Sequence, residues 1–314
     1  MKEETLQRKK FKDNIRNIIP FAGFSIILVV FMILAFDRFC TYKNFITIIQ
    51  QTAILAIVSM GAHFVIVTGA IDLSLGSTIA FSGMVAATYA QKWGFAGLLM
   101  GIPVGAAVGL FIGLIYNYMR IPSFIITLGI QMALRGLVVL YSHSSPVPVA
   151  KSLVFLGKYP YIFLIMIVVF IIMYIIYNYT SFGRYCIAAG GNEHIAQLNG
   201  ISTSMIRIMI FVVAGVLAGL GGTLMCCRLG AATPTVGTGF ETQCICAVAL
   251  GGTPLSGGVG SIQNTLIGAL ITSMLANGLT ILGASSEIQQ IITGMIVIVA
   301  CFLSMDKKKV GTVK

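Results

Sequence analysis

Apolar residues in this chain do not alternate with polar ones. They come in long unbroken runs, and the polar residues are gathered into short stretches between them. A helix needs about 20 apolar residues to cross the hydrocarbon of a bilayer. Runs near that length predict spans at 18–36, 45–67, 78–91, 95–118, 123–140, 161–178, 205–226, 240–250, 261–282 and 287–304, the eighth being short. Continuous runs without a period of two argue against a β-barrel. The pattern predicts an all-α integral membrane protein with about ten transmembrane helices. A transmembrane domain over 18–304 lies between a basic tail at 1–17 and another at 305–314.

The interruptions carry more information than the spans. Thr68 to Ser77 reads TGAIDLSLGS, and Gly251 to Gly260 reads GGTPLSGGVG. Gly69-x-x-x-Leu73-Ser74-x-Gly76 in the first recurs as Gly251-x-x-x-Leu255-Ser256-x-Gly258 in the second, 182 residues later. Each copy joins two spans, which reads as an internal repeat with helices broken at two glycine-rich segments. Non-helical backbone at membrane depth has to line a cavity or be covered by protein, and repeats with broken helices are common in transporters.

The longest polar interruption of the second half is Phe182 to Ser204. Gly183-Arg184 predicts a turn and Gly190-Gly191 a break. Asn192 then caps a short helix, Glu193 to Asn199, which Gly200 closes. Held closely between two spans, such a helix is shaped to meet a partner outside the membrane, with a small face at Ala196 and Gly200 for a cleft on that partner. Gln91-Lys92-Trp93-Gly94 predicts a tight turn with Trp93 at the membrane interface. Tyr141 to Pro160 and Leu229 to Gly239 are the remaining long connections.

Composition narrows the class. The chain is 57% hydrophobic and 9% charged, against roughly 25% charged for a soluble domain. The net charge of +11 sits mostly at Lys2, Arg8, Lys9, Lys10, Lys12, Arg16, Lys307, Lys308, Lys309 and Lys314. This pattern reads as a positive-inside anchor with both termini cytoplasmic, with no nucleic acid as partner. The tails supply the margin, because the internal loops alone would put 3 cations inside and 6 outside. The run at Ile18 to Phe36 is too long for a signal-peptide core and lacks a cleavage site, so it is expected to stay.

Candidate chemistry is sparse. The seven cysteines are scattered, and Cys244-x-Cys246 is not a zinc spacing. His63, His143 and His194 lie far apart, and no G-x-x-x-x-G-K-[ST] loop occurs. We therefore expect no metal, no cofactor bound by this chain and no enzyme. Energy would come from a partner or an ion gradient. Asp72 and Glu241 sit at span ends and Arg135 inside a span. A charge at the bilayer centre costs roughly 2.5–3.5 kcal/mol, so these three either line a path or gate, or cap helices and fix loops. Gln50, Gln51, Ser74, Thr127, Gln131, Asn264, Asn277 and Gln289 offer groups that donate to and accept from hydroxyls, and interhelical hydrogen bonding is an equal alternative for each. The scarcity of intramembrane carboxylates favours a neutral, hydroxylated solute over an ion.

Several stretches, in order along nearly the whole chain, resemble the ribose-type branch of ABC importer permeases, a branch closely allied to the branched-chain amino-acid permeases. They are Gly69-Ala70-Ile71-Asp72-Leu73-Ser74-Leu75-Gly76, Ile126-Thr127-Leu128-Gly129 with Arg135-Gly136, Arg228-Leu229-Gly230 through Pro234 to Glu241, and Ala247 through Leu250-Gly251-Gly252-Thr253-Pro254 to Gly258. Gly190-Gly191-Asn192-Glu193 through Ala196 to Gly200-Ile201 matches that family's cytoplasmic coupling segment. The resemblance implies a permease subunit in a prokaryotic cell membrane, pairing as a homodimer or with a second permease. A cytoplasmic ABC ATPase would hold ATP and Mg, and an extracytoplasmic binding protein would deliver a small sugar. It assigns Asn192, Glu193, His194, Ala196, Gln197 and Gly200 to the ATPase contact. Related permeases carry Glu-Ala-Ala and then Gly; here His194 and Ile195 depart while Ala196 and Gly200 keep the pattern, and Glu193 is left to supply the acidic contact. A sibling solute, such as a nucleoside, signalling sugar or amino acid, or a self-sufficient secondary transporter, remains the alternative.

Overall fold

The structure, a computed structural model, describes residues 2–304, with side chains from Pro20 to Phe302. The second tail expected at 305–314 lies outside the described residues. Twelve α-helices make up nearly all of the described chain. α1 (Lys2–Phe39) runs straight through the boundary drawn at residue 17 and is kinked only at Ala35. α2 (Tyr42–Val67) follows, then α3 (Leu75–Leu98), α4 (Gly101–Met119) and α5 (Ser123–Ser142). A two-residue strand β1 (Val147–Pro148) and a 3-10 turn (Lys151–Gly157) lead to α6 (Tyr161–Tyr179). α7 (Ser181–Gly191) and α8 (Glu193–Leu198) are short. α9 (Thr203–Leu229), β2 (Ala231–Ala232), α10 (Phe240–Leu250), α11 (Ile262–Ile281) and α12 (Ser286–Ser304) complete the chain.

Among the described residues, seven helices are long and apolar enough to cross a membrane: α2, α4, α5, α6, α9, α11 and the Pro20–Phe39 part of α1. α10 and the apolar part of α12 are shorter, and α3 is diluted by Ser, Thr and Gly. The fold is all-α and integral to the membrane, as the apolar runs require.

α2 is the axis of the bundle. Every residue from Thr52 to Val67 is buried, and α6, α9, α10 and α11 pack around it. A helix apolar on all sides belongs inside. The closest pair is α4 with α9. Gly101, Gly105, Gly109 and Gly113 recur every fourth residue, so they share one face of α4. A Cβ on Gly113 would stand 2.8 Å from Ile208 Cα, and one on Gly105 would stand 2.7 Å from Gly219 Cα. Without side chains in this row the two backbones come together, which in lipid is what dispersion packing requires. This row of glycines is visible in the sequence, a signal of close packing that sequence reasoning did not use.

Two local expectations change. The predicted turn at Gln91–Gly94 is a break inside α3, where Gly94 takes φ 57° and ψ −129° and the helix resumes as far as Leu98. Gly183-Arg184 is not a turn either. Both residues lie within α7, which ends only at Gly191. Tyr177 carbonyl backbone packs directly against Gly183, so this glycine serves close approach to α6 instead of chain reversal.

Candidate functional site

The first glycine-rich break leaves the end of α2 through a turn at Thr68 and Gly69 (φ 80°) and is held from the side by α5. Ile71 N donates to Ser123 Oγ at 2.9 Å and Leu73 N donates to Thr127 Oγ1 at 3.1 Å. Ser74 then donates from both its backbone N and its Oγ to Asp72 Oδ1, at 2.8 and 2.6 Å. These bonds satisfy backbone groups that a broken helix leaves open.

The same α5 face holds the segment that leads into α10. Gln131 Nε2 donates to Glu241 Oε1 at 3.0 Å, and Arg135 donates to the Val236 carbonyl at 2.6 Å and to that of Pro234 at 3.4 Å. Ser123, Thr127, Gln131 and Arg135 are spaced by four, which places them in one row along α5. Glu241 lies directly against Gly76 at the start of α3, and its Oε2 is buried without a hydrogen-bond partner. Asp72, Ser74, Thr127, Gln131, Arg135 and Glu241, chosen separately from the sequence, thus form one polar cluster, buried except for the half-buried Gln131 and Arg135, where the first break meets the segment leading into α10. Arg135 does not reach for the interface. Its charge is spent on carbonyls exposed by the turn before α10.

The other three candidates lie on other helices. Gln50 is half-buried on α2. Asn264 and Asn277 are buried on α11, the first beside Gly251, whose Cβ would stand 2.7 Å from Asn264 O. Gln51, also on α2, has a buried Oε1 with no partner. Gln289 on α12 donates to Thr280 Oγ1 and to the Ala284 carbonyl, which fixes the α11–α12 turn. Sequence reasoning missed Ser123, although its place at the head of the four-residue row was legible.

The segment expected to couple to a partner is built as its punctuation predicts. Asn192 Oδ1 accepts from Ile195 N at 3.0 Å, capping α8, and Gly200 closes the segment at φ 78°. Glu193 forms an ion pair with Arg207, whose guanidinium also sits 5.7 Å over the Tyr116 ring. Fourteen residues separate the two, so no sequence pattern announced that bond. The orientation of α8 corrects one expectation. Ala196 is 4% exposed and packs inward, so it is not part of a small outward face. A six-residue helix lying on the protein must turn one side in, and the smallest residue allows the closest seat. The outward side is Ile195 at 55% and Leu198 at 75% exposed, with His194, Gln197 and Gly200 also exposed.

The end of α7, just before α8, meets both breaks through backbone alone. Gly258 N donates to the Val67 carbonyl at 2.8 Å. A Cβ on Gly190 would fall on that same carbonyl oxygen and 2.7 Å from Gly258 N, and one on Gly257 would stand 2.6 Å from Gly69 N. The two copies of the repeated motif therefore touch, and the α7–α8 connection is seated on their junction. From Val67 the first break runs on to Asp72 and Ser74, so a continuous chain of contacts joins α8 to the buried cluster.

At the opposite end of the bundle the two other long connections meet. Val147 pairs with Ala232 and Pro148 with Ala231 in an antiparallel ladder, and Val149 N donates to the Gly230 carbonyl at 2.9 Å. Five of the cysteines are buried and all are free. Among the described residues, no group of three or more His, Cys, Asp or Glu side chains is placed to hold a metal ion.

Two breaks inside a bundle of membrane-crossing helices, a polar cluster at the first of them, and a capped external helix seated on their junction are the features of a membrane permease, a transport component. Comparison with known proteins gives the family. The profile described as branched-chain amino acid transport system / permease component matches residues 44–301, and the chain belongs to that family. It is 37% identical to the ribose import permease protein RbsC of Escherichia coli (strain K12), over 90% of this chain and 92% of that one. It is 35% identical to the ribose import permease protein RbsC of Bacillus subtilis (strain 168), over 98% and 99%. With the D-allose transport system permease protein AlsC of Escherichia coli (strain K12) the identity is 33%, over 89% and 88%. No solved structure matches the chain.

Proposed function

We propose that this chain is the permease subunit of an ABC importer for a small sugar and works by alternating access. The carrying observation is the junction at Val67, Gly190 and Gly258, which ties an externally exposed helix to both broken segments without a flexible side chain between them. Movement of α8 is delivered through rigid backbone to the buried cluster. The ribose and allose permeases among the relatives favour a sugar over other solutes, and the carboxylate, amide and hydroxyl groups of Asp72, Glu241, Gln131 and Ser74 suit hydroxyls.

On this reading α8 and both termini are cytoplasmic, and a separate ATPase binds ATP and Mg and docks on α8. The β1–β2 end receives an extracytoplasmic sugar-binding protein. A second copy or a paired permease covers the free face of α5, where Gly129, Ala133 and Gly136 are exposed beside Met132 at 71%. Lipid covers the rest.

The test is a pull-down from the native membrane followed by mass spectrometry, comparing the wild type with Leu198→Glu, and uptake of a panel of labelled sugars in the same cells. Leu198 is exposed, so the variant keeps its fold while losing an apolar contact. Loss of a co-purifying ATPase together with loss of uptake supports the reading. Unchanged uptake with no ATPase attached in either protein would return the choice to a gradient-driven secondary transporter.

A further inference from the structure

Beside α8 lies a polar cleft of about 640 Å³ that the coupling scheme uses only on its α8 side. Its walls come from three elements: Tyr118 and Arg120 at the end of α4, His194 and Gln197 on α8, and Ser204 and Arg207 at the start of α9. The two arginines are not equivalent. Arg207 is committed to Glu193 and stacked on Tyr116. Arg120 is exposed and, among the described residues, has no hydrogen bond or ion pair. It also takes a left-handed backbone, φ 54°, at the end of α4, a conformation a non-glycine residue holds at some cost. The uncommitted charge of the cleft is therefore positive, and it is displayed.

Exposed apolar side chains lie on two of the elements that wall the cleft. Tyr118, in the wall itself, is 77% exposed, and Met119 at 60%, Ile195 at 55% and Leu198 at 75% are exposed on the same end of α4 and on α8. Aromatic residues, Met and Arg are the types enriched in protein interfaces. A bare phosphate would need neither these apolar neighbours nor this volume.

We propose that the cleft and the α4–α5 turn form a second half of the ATPase docking surface, with a carboxylate side chain of the ATPase entering between Arg120 and α8. This rests on the reading of α8 as the ATPase contact. The consequence is mechanical. Three residues beyond Arg120, α5 begins at Ser123 and carries the row that holds the first break and the segment leading into α10. The ATPase then grips the permease at two points, and each leads to the same buried cluster: α8 through the glycine junction and the turn through α5.

The experiment is photo-crosslinking in membranes containing the complete transporter, with a benzophenone amino acid placed singly at Tyr118 or Ile195. Both positions should link to the ATPase. Linkage from Ile195 alone, or from Tyr118 only to lipid or to a second permease copy, overturns this inference and leaves the α8 reading standing. Linkage from neither overturns both. The carboxylate is tested with Arg120→Lys and a carbodiimide, which joins an amine to an adjacent acid with loss of water. A peptide containing residue 120 joined to an acidic peptide of the ATPase is expected, and its absence refutes the charge pairing. Arg120→Glu should lower ATPase recovery roughly tenfold, as removal of an interfacial charge partner does, while Arg120→Lys stays near wild type. Equal recovery in all three proteins would overturn the proposal.

Discussion

Gly190→Ala is the sharpest probe of the path from α8 to the cluster. The added Cβ would collide with the Val67 carbonyl oxygen and stand 2.7 Å from Gly258 N. Both obstacles are backbone, so neither can rotate aside. Restoring ordinary contact distance requires α7 to move by roughly 1.5 Å relative to α2. That shift strains the 2.8 Å bond from Gly258 N to the Val67 carbonyl. Overpacking costs about 1–3 kcal/mol, and the lost buried hydrogen bond adds about 1 kcal/mol. Alanine returns up to about 1 kcal/mol because it favours helix over glycine. The seated junction is left disfavoured by about 2 kcal/mol, roughly 30-fold in its equilibrium.

Gly191→Ala is the matched control. It has the same chemistry one residue on, and its Cβ would have no atom within 4 Å. The assay is uptake and ATP hydrolysis measured in parallel on the permease reconstituted with its ATPase. Gly190→Ala should retain the ATPase and hydrolyse ATP while uptake per ATP falls by about an order of magnitude. Gly191→Ala should behave as wild type. Equal coupling in the two variants would refute rigid transmission through this junction.

Other expectations follow from the same geometry. Thr127→Val keeps the shape but leaves Leu73 N without its 3.1 Å acceptor, and should lower stability by about 1–3 kcal/mol, read as a drop in the unfolding temperature of the detergent-solubilised protein. Arg135→Met should abolish most uptake while the ATPase still co-purifies, because the lost bonds to Val236 and Pro234 lie far from α8; a normal uptake rate would remove Arg135 from the gate. Gly105→Leu would drive a side chain into the Gly215 and Gly219 backbone and should reduce the amount of folded protein in the membrane, whereas Gly294→Leu, where a Cβ has no atom within 4 Å, should not. Ala196→Arg, on a buried seat, should destabilise the α7–α9 region itself, visible as increased proteolysis in that segment even without a partner.

The apolar runs by themselves determined that this is a helical membrane protein and where most helices lie, because the cost of placing polar backbone and side chains in hydrocarbon leaves little choice. Local punctuation was equally legible. Asn192 and Gly200 mark the ends of the coupling segment because a cap and a left-handed closure depend on neighbours in the chain. The polar residues that matter were recognisable one at a time, since a carboxylate or an arginine is costly in a span wherever it sits.

What the sequence could not determine was which of them meet. Gln131 finds Glu241 across 110 residues and Arg135 finds Val236 across 101, and those pairings follow from how α5 lies across the first break and the segment before α10. The same holds for Gly190 on Val67 and for Arg207 on Glu193. The side that α8 turns outward was likewise decided in three dimensions. A helix of six residues has too few positions for a periodic pattern, so its neighbours, and not its composition, set Ala196 inward and left Ile195 and Leu198 exposed.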